Sequence, residues 1–376
     1  MIRGVFGIQP VREIEGRGGV GLRVVVSGNN FYREQWESHR DILFIQDFPT
    51  HILQMIDPKT GKHYSGQFED RLREYLRRTT QCECPVQQAN IKRRIEALFQ
   101  NINFSSAKAR FVYSFPSSLD ERGGWKQLAN TVRELRQDLE SSEESDSDES
   151  MDERDTQSST WRRSLLPIMH ATSGSLGHLK PDFCLQQYRC MLGDPRGAPK
   201  TTEWDELLSS SDPQIGLLRI LWPSNGVKDL ASGLVNDSRP WYNAIPDNIK
   251  QHCFYDPPPG ASFGRTHGKV YYTSIPIENG SSRTSVLYVG SHNISEAAWG
   301  KRGSQMSNVE IGVVLVTNSP EVDQQWRSCL PCPIPRESES SEEYNERMKR
   351  CSSGPALRVN KSAPAADHVI NLCDSD

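Results

Sequence analysis

The sequence predicts an α/β fold built from a duplicated unit, and two observations predict it. Short apolar runs bounded by turn residues alternate with stretches of helical period. A set of polar and aromatic residues also recurs in the same order early and late in the chain.

Residues 21–30 (GLRVVVSGNN) and 41–48 (DILFIQDF) are short, apolar and turn-bounded, which predicts buried strands. Residues 87–100 (QQANIKRRIEALFQ) carry apolar residues at helical spacing and predict an amphipathic helix. ARFVYSF (109–115) predicts a further strand, and GWKQLANTVRELRQDL (124–139) a further helix. The run ESSEESDSDESMDERD (140–155) repels itself and offers nothing to bury, which predicts a disordered linker whose serines suit an acid-directed kinase. Order resumes at Trp161. Strands are expected in GLLRILWP (216–223), KVYYTSI (269–275), SVLYVGS (285–291) and VEIGVVLV (309–316). After Pro335 the chain turns polar and rich in Ser and Glu. The expected organisation is a first half over 1–139, an acidic linker over 140–160, a second half over 161–335 and a disordered tail over 336–376.

Of the 376 residues, 35% are hydrophobic and 24% charged, enough for a core with disordered stretches beside it. No apolar run is long enough to span a bilayer, and residues 1–20 lack a signal-peptide core, so a soluble, non-secreted protein is expected. The nine cysteines are scattered and odd in number, which fits free thiols in a reducing compartment. The close pairs Cys82/Cys84 and Cys329/Cys332 lack the paired spacing of a zinc site, and no metal is expected. The net charge of −4 is uneven: residues 140–155 carry −8 and 336–376 carry −2, which leaves +6 for the rest. A mildly basic body suits a phosphate-rich partner.

The repeat is read by setting FGIQPVR (6–12) under FGRTHGK (263–269), and LRVVVSGNNFYREQW (22–36) under SVLYVGSHNISEAAW (285–299). In each copy an Asn follows a strand, and a Trp follows the Asn by six residues: Asn30 to Trp36, and Asn293 to Trp299. On this alignment His267, Lys269 and Asn293 of the second copy answer to Pro10, Arg12 and Asn30 of the first.

These residue types suit phosphoryl chemistry. Residues i and i+2 of a strand share a face, so His267 and Lys269 project side by side. Lysine offers fixed positive charge to a phosphate oxygen. Asparagine offers an amide donor where charge builds in the transition state. Histidine donates or accepts a proton near neutral pH and can act as a nucleophile. The bland alternatives are a solvated His-x-Lys strand edge and an Asn that caps the helix beginning at ISEAAWG. The order His-x-Lys, strand, Gly-Ser-x-Asn, helix, strand with Glu310 is harder to reach by chance.

The segments HGKVYY, VGSHNISEAAWG and VEIGVVLV resemble the tyrosyl-DNA phosphodiesterase family of the phospholipase D superfamily. So do LRVVVSGNNFYREQW running into LFIQDFP, the loop HATSGSLG (170–177) and the strand LLRILWPS (217–224). The resemblance implies phospholipase D-like halves, each a mixed sheet flanked by helices, related by a pseudo-two-fold with one active site between them. It implies hydrolysis, without cofactor or metal, of a phosphodiester joining tyrosine or another adduct to a DNA 3′ end. The implied partners are DNA 3′ ends and covalent topoisomerase–DNA adducts, and the implied setting is repair in the nucleus, with exonuclease-type end processing. By resemblance His267 is the general acid/base, Lys269 and Asn293 bind phosphate oxygens, and Glu310 orients His267. Asn30 is the surviving oxygen ligand of the first motif and Arg12 a phosphate binder. Thr172, Ser175 and Ser295 fall where the family contacts the DNA backbone or phosphate.

The first motif departs from the family, because Pro10 stands where the nucleophilic His is expected and less of the fold precedes it. A truncated gene product and a decayed paralogue both fit, and reduced or absent activity is expected. His39 lies near the first motif, but a polar surface histidine is the plainer reading. The tail HVINLCDSD resembles a SUMO-interacting motif, with Val369, Ile370 and Leu372 followed by Asp374 and Asp376. Two rival functions stand beside the enzyme: a non-catalytic module that binds DNA ends or scaffolds repair, and a phospholipase D-type lipid enzyme. The lipid enzyme should carry His-x-Lys-x4-Asp, whereas position 274 is Ser274.

Overall fold

The computed structural model describes residues 5–11, 21–28, 39–40, 42–50, 67–100, 102–116, 123–143, 167–194, 217–222, 243–255, 265–276, 283–300, 306–330, 334–335, 342–344 and 346–347. The strands are β1 (Val5–Val11), β2 (Gly21–Ser27), β3 (His39–Arg40), β4 (Leu43–Pro49), β5 (Arg110–Ser114), β6 (Met169–Thr172), β7 (Leu218–Leu221), β8 (Phe254–Tyr255), β9 (Arg265–Thr266), β10 (Lys269–Pro276), β11 (Arg283–Gly290) and β12 (Glu310–Thr317). The helices are α1 (Gln67–Thr79), α2 (Pro85–Phe99), α3 (Gly124–Glu143), α4 (Pro181–Met191), α5 (Asp247–Cys253), α6 (Glu296–Trp299) and α7 (Pro320–Cys329).

A seven-stranded mixed sheet in the order β5-β12-β11-β10-β6-β7-β8 forms the centre. Both faces of β10 and β11 are covered, which is why their sequences run apolar almost without break. Successive side chains point to opposite faces. Tyr271, Ile275, Val286 and Tyr288 pack with Leu128 and Val132 of α3 and Phe183 and Tyr188 of α4. Val270, Tyr272, Leu287 and Val289 enter a second core with Phe68, Leu72 and Tyr75 of α1 and Phe99 of α2. That core also takes Val24, Val26, Phe44 and Phe48 from a three-stranded sheet, β1-β2-β4.

The two meanders repeat each other. β1, β2 and β4 are successively antiparallel, as are β10, β11 and β12. With Ser27 set on Gly290, Val26 pairs Phe44 as Val289 pairs Val313.

The same register corrects the first-motif alignment. Lys269 pairs with Gly290, and Val5 pairs with Ser27. Val5, not Arg12, therefore holds the strand position of Lys269, and Pro10 lies five residues farther along, opposite Leu22. The position two before Val5, the counterpart of His267, is Arg3 in the sequence. No histidine occupies that slot under either alignment. Arg3, Arg12 and Asn30 lie outside the described residues.

Three boundaries also shift. β5 falls within the expected first half, yet it pairs with β12 at the edge of the larger sheet, because Phe111 and Val112 complete that sheet's two cores. The helix expected to stop at 139 continues as α3 to Glu143, so the first acidic residues are helical; the remainder of 140–160 lies outside the described residues. The expected disordered tail contains Tyr344, which is fully buried against Leu221 and Tyr255. Its ring meets Tyr255 edge-on at 5.7 Å, an aromatic contact worth keeping out of water. Val369, Ile370 and Leu372 lie outside the described residues.

Candidate active site

His267 and Lys269 sit where β9 gives way to β10, and Asn293 follows the end of β11. All three are buried. The loop 173–175, after β6, closes over them from the neighbouring strand. A Cβ on Gly174 would stand 2.9 Å from His267 Cδ2 and 3.1 Å from Lys269 Nζ, so the absence of a side chain there lets the loop reach the pair.

The surprise is the contribution of Gly28, from the end of β2. Its carbonyl lies 2.7 Å from His267 Nδ1 and accepts from Lys269 Nζ at 2.8 Å. Nδ1 also lies 2.7 Å from Lys269 Nζ, so the imidazole, the ammonium and the Gly28 carbonyl form one polar knot. Gly28 can come this close because it has no side chain: a Cβ would meet Gly290 O at 2.8 Å and Gly268 Cα at 2.9 Å. The strand ends of the two meanders thus meet at this glycine.

Lys269 is 1% exposed and meets Gly28 O at 2.8 Å and His267 Nδ1 at 2.7 Å. Asn293 is oriented by the same loop. Its Oδ1 accepts from Ser175 N–H at 2.9 Å and lies 3.2 Å from Ser173 Oγ, which in turn accepts from Ile294 N–H at 3.0 Å. Fixing the oxygen in this way leaves the amide NH2 as the end that donates to a substrate oxygen.

Other expected residues make contacts of their own. Glu310 accepts from Ser291 Oγ at 2.6 Å and from Asn308 Nδ2 at 3.0 Å, which fixes it at the start of β12. Thr172 is buried and holds strands together: its hydroxyl donates to Gly268 O and accepts from Val270 N–H, each at 3.2 Å. Ser295 caps α6, accepting from Ala298 N–H at 3.3 Å. Ser175 reaches the site through its backbone. The backbone of His39 pairs with Arg265, two residues before His267. Sequence reasoning missed Gly28, Ser173 and Gly174, which lie in the SGNN and TSGS runs.

Behind the site, His292 stacks on Trp299 at 4.0 Å and lies 2.5 Å from the Tyr288 hydroxyl through Nδ1. Burial holds its pKa well below the usual histidine value. His170, on β6, is held down by burial and then by Arg219 and Arg327. Both histidines are neutral when folded and bind protons more readily when unfolded. Their stabilising contribution is therefore complete above the unfolded histidine pKa, about 6.5, and is lost as pH falls below it. Urea melts at pH 7.5 and 5.5 are expected to show a loss approaching about 1.4 kcal/mol per histidine per pH unit below 6.5. His292→Gln is expected to flatten that slope, and an unchanged slope would contradict the assignment.

A family model described as tyrosyl-DNA phosphodiesterase matches residues 17–224 and 240–361. Among solved structures, yeast tyrosyl-DNA phosphodiesterase is similar, with a TM-score of 0.50 at 14% identity over 79% of this chain and 64% of that one. A histidine-to-arginine mutant of yeast tyrosyl-DNA phosphodiesterase 1 gives 0.51 at 15% identity, over 80% and 64%. At these identities the likeness is one of fold, and the chain spans about 64% of the length of those structures. No curated protein matches the chain significantly.

Proposed function

This chain belongs to the tyrosyl-DNA phosphodiesterase family, and on that premise we propose that it acts on phosphodiesters joining tyrosine or a related adduct to DNA 3′ ends, in repair. The meeting of His267 and Lys269 with the Asn293 loop at one sheet end carries the reading. Lys269 and the Asn293 amide hold the non-bridging oxygens as charge grows on them. Protonated His267 gives its proton to the leaving oxygen as water forms the new bond to phosphorus, and the neutral ring then recovers a proton from that water. Covalent topoisomerase–DNA adducts are substrates of this chemistry, and the nucleus is where they arise. The same setting gives the Val369, Ile370 and Leu372 segment its use, as an added strand for SUMO.

The first-motif slot supports a second element of the reading. With Arg3 and Val5 where the register asks for His and Lys, the chain lacks a phosphorus-attacking histidine, and end binding outlasts turnover.

A 3′-phosphotyrosyl oligonucleotide tests both. Salt-dependent binding is expected, with turnover at or near background. Lys269→Ala is expected to weaken binding roughly 30-fold, the worth of about 2 kcal/mol for a charged hydrogen bond. Robust turnover that His267→Ala abolishes would overturn the loss of activity, and a His39→Ala control reports whether that histidine supplies the nucleophile. Binding indifferent to both Lys269→Ala and Asn293→Ala removes the phosphate role.

A further inference from the structure

A cleft of about 330 Å³ opens between the end of α1 and the first turns of α2. Arg77 and Gln81 line it on one side, and Gln88, Lys92 and Ile95 on the other. Positions 88, 92 and 95 recur at i, i+4 and i+7, so they share one face of α2. No acid is among the described residues that line the cleft.

The polar groups of the cleft are set to donate. Gln88 Oε1 accepts from Cys82 N–H at 2.8 Å, which leaves the amide NH2 as the end offered to a ligand. Arg77 Nη2 donates to Glu96 at 2.7 Å, while its Nε–H is shut from water without an acceptor, a state few buried donors keep. Glu96 is shared with Arg73, which also holds Glu69. Lys92 acts on Glu96 only at longer range. Arg73, Arg77 and Lys92 thus face two carboxylates, Glu69 and Glu96, and one positive charge is left over. Arg93 and Arg94 follow Lys92 along α2, all three exposed, and none of them forms an ion pair among the described residues.

The cleft lies toward the active-site end of the central sheet. β5 ends at Ser114, opposite Glu310, and Lys269 pairs with Gly290 at the same end. α1 runs along β5 in the same direction: Phe68 meets Phe111, and Tyr75 meets Tyr113 and Phe115. The last turn of α1 and its loop into α2 therefore come out at that end. Three strand spacings, about 14 Å, separate β10 from β5. About four nucleotides of a stacked strand, at about 3.4 Å each, cover that distance.

We propose, on the 3′-end reading of the active site, that this cleft holds a backbone phosphate of the same DNA strand, at least about four nucleotides back from its end. Arg77, Lys92 and the Gln88 amide are its ligands. An acidic peptide is the rival occupant, and the position of the cleft at the phosphate end of the sheet favours DNA.

Fluorescence anisotropy of the full chain with 3′-phosphotyrosyl oligonucleotides of about four and about sixteen nucleotides tests the cleft. Lys92→Glu breaks no hydrogen bond or ion pair among the described residues. It is expected to weaken the longer oligonucleotide at least about tenfold and to leave the shorter one within about twofold, with an unchanged thermal melt. Lys92→Arg keeps the charge and is expected to hold the native affinity. Arg77→Gln with Lys92→Gln is expected to lower the slope of log affinity against log salt by about 0.7 for the longer oligonucleotide, the share of one single-strand phosphate. Lys108→Glu, two residues before the opposite end of β5, is the charge-matched control and is expected to change neither length. No loss from Lys92→Glu, equal losses at both lengths, or an equal loss from Lys108→Glu overturns the proposal. Lys269→Ala separates the two readings, because it is expected to weaken both lengths. If it alters neither while Lys92→Glu still weakens the longer one, the active-site reading fails and the cleft stands. If Lys269→Ala weakens both and Lys92→Glu neither, the cleft fails alone. A glutamate-rich peptide that binds the native chain but not Lys92→Glu, with DNA affinity unmoved by that variant, would assign the cleft to a protein partner and overturn the proposal.

Discussion

Arg3→His combined with Val5→Lys is expected to raise turnover of a 3′-phosphotyrosyl oligonucleotide on the order of 10³-fold over the native chain. The expectation rests on strand register. Val5 pairs with Ser27 as Lys269 pairs with Gly290, so positions 3 and 5 are the counterparts of His267 and Lys269. The pair restores the histidine and lysine that the first motif lacks, and a positioned acid–base or nucleophilic group is worth about 10² to 10⁴ in rate. The matched control is Pro10→His with Arg12→Lys. Pro10 lies at the far end of β1, and the pair is expected to leave turnover at background. Single-turnover assays that detect a phosphohistidine adduct in the first variant, and none in the second, would establish the register. Equal gains from both pairs would refute it.

Trp299→Ala is expected to cost about 4 kcal/mol of stability, in the range for deleting a fully buried large aromatic. Trp299 is fully buried, stacks on His292 and meets the Tyr288 ring edge-on at 5.1 Å. Its Nε1 donates to Tyr271 Oη at 3.0 Å, so the truncation also removes one of that buried hydroxyl's two hydrogen bonds, the other being its donation to His292 O at 2.7 Å. Urea melts give the cost directly, and a loss under about 1.5 kcal/mol, the size of a tolerated core change, would show that the site can collapse around the gap. Because His292 is the neighbour of Asn293, Trp299→Phe is the milder companion. It keeps a stacked ring, and it is expected to recover more than half of the lost stability.

The central strands were legible because burial on both faces writes an unbroken apolar run, as in KVYYTSI and SVLYVGS. The helices α2 and α3 were legible by period. α1 was not singled out, although its Phe68, Leu72 and Tyr75 fall on one face. α7 begins at Pro320, only two residues separating it from β12, so its helical period is short beside the strand's apolar run. The His267, Lys269 and Asn293 set was found because the residue types announce their chemistry. Its orienting atom was not, because Gly28 acts through a backbone carbonyl and no side-chain pattern records one. The first-motif slot was misplaced by the FG pair that begins both aligned segments. Spacing was the better guide: 26 residues separate His267 from Asn293 and 27 separate Arg3 from Asn30, against 20 from Pro10. Thr172 and Ser295 entered through the family resemblance, and no side-chain pattern records that their hydroxyls also bridge strands and cap a helix.

The glycine at the seam has a consequence for how a duplicated protein ages. Gly28 belongs to the copy that carries no histidine in its own motif, yet its carbonyl oxygen meets both the histidine and the lysine of the other copy. Mutation can erode the first copy's chemistry while leaving this contact untouched, because a carbonyl survives almost any change of side chain around it. Gly28 itself is the exception, since any larger residue drives into Gly290 and Gly268. A lineage that drifts away from catalysis should therefore vary at positions 3 and 5 long before it varies at 28, and the ratio of those two rates across descendants would serve as a clock for the loss.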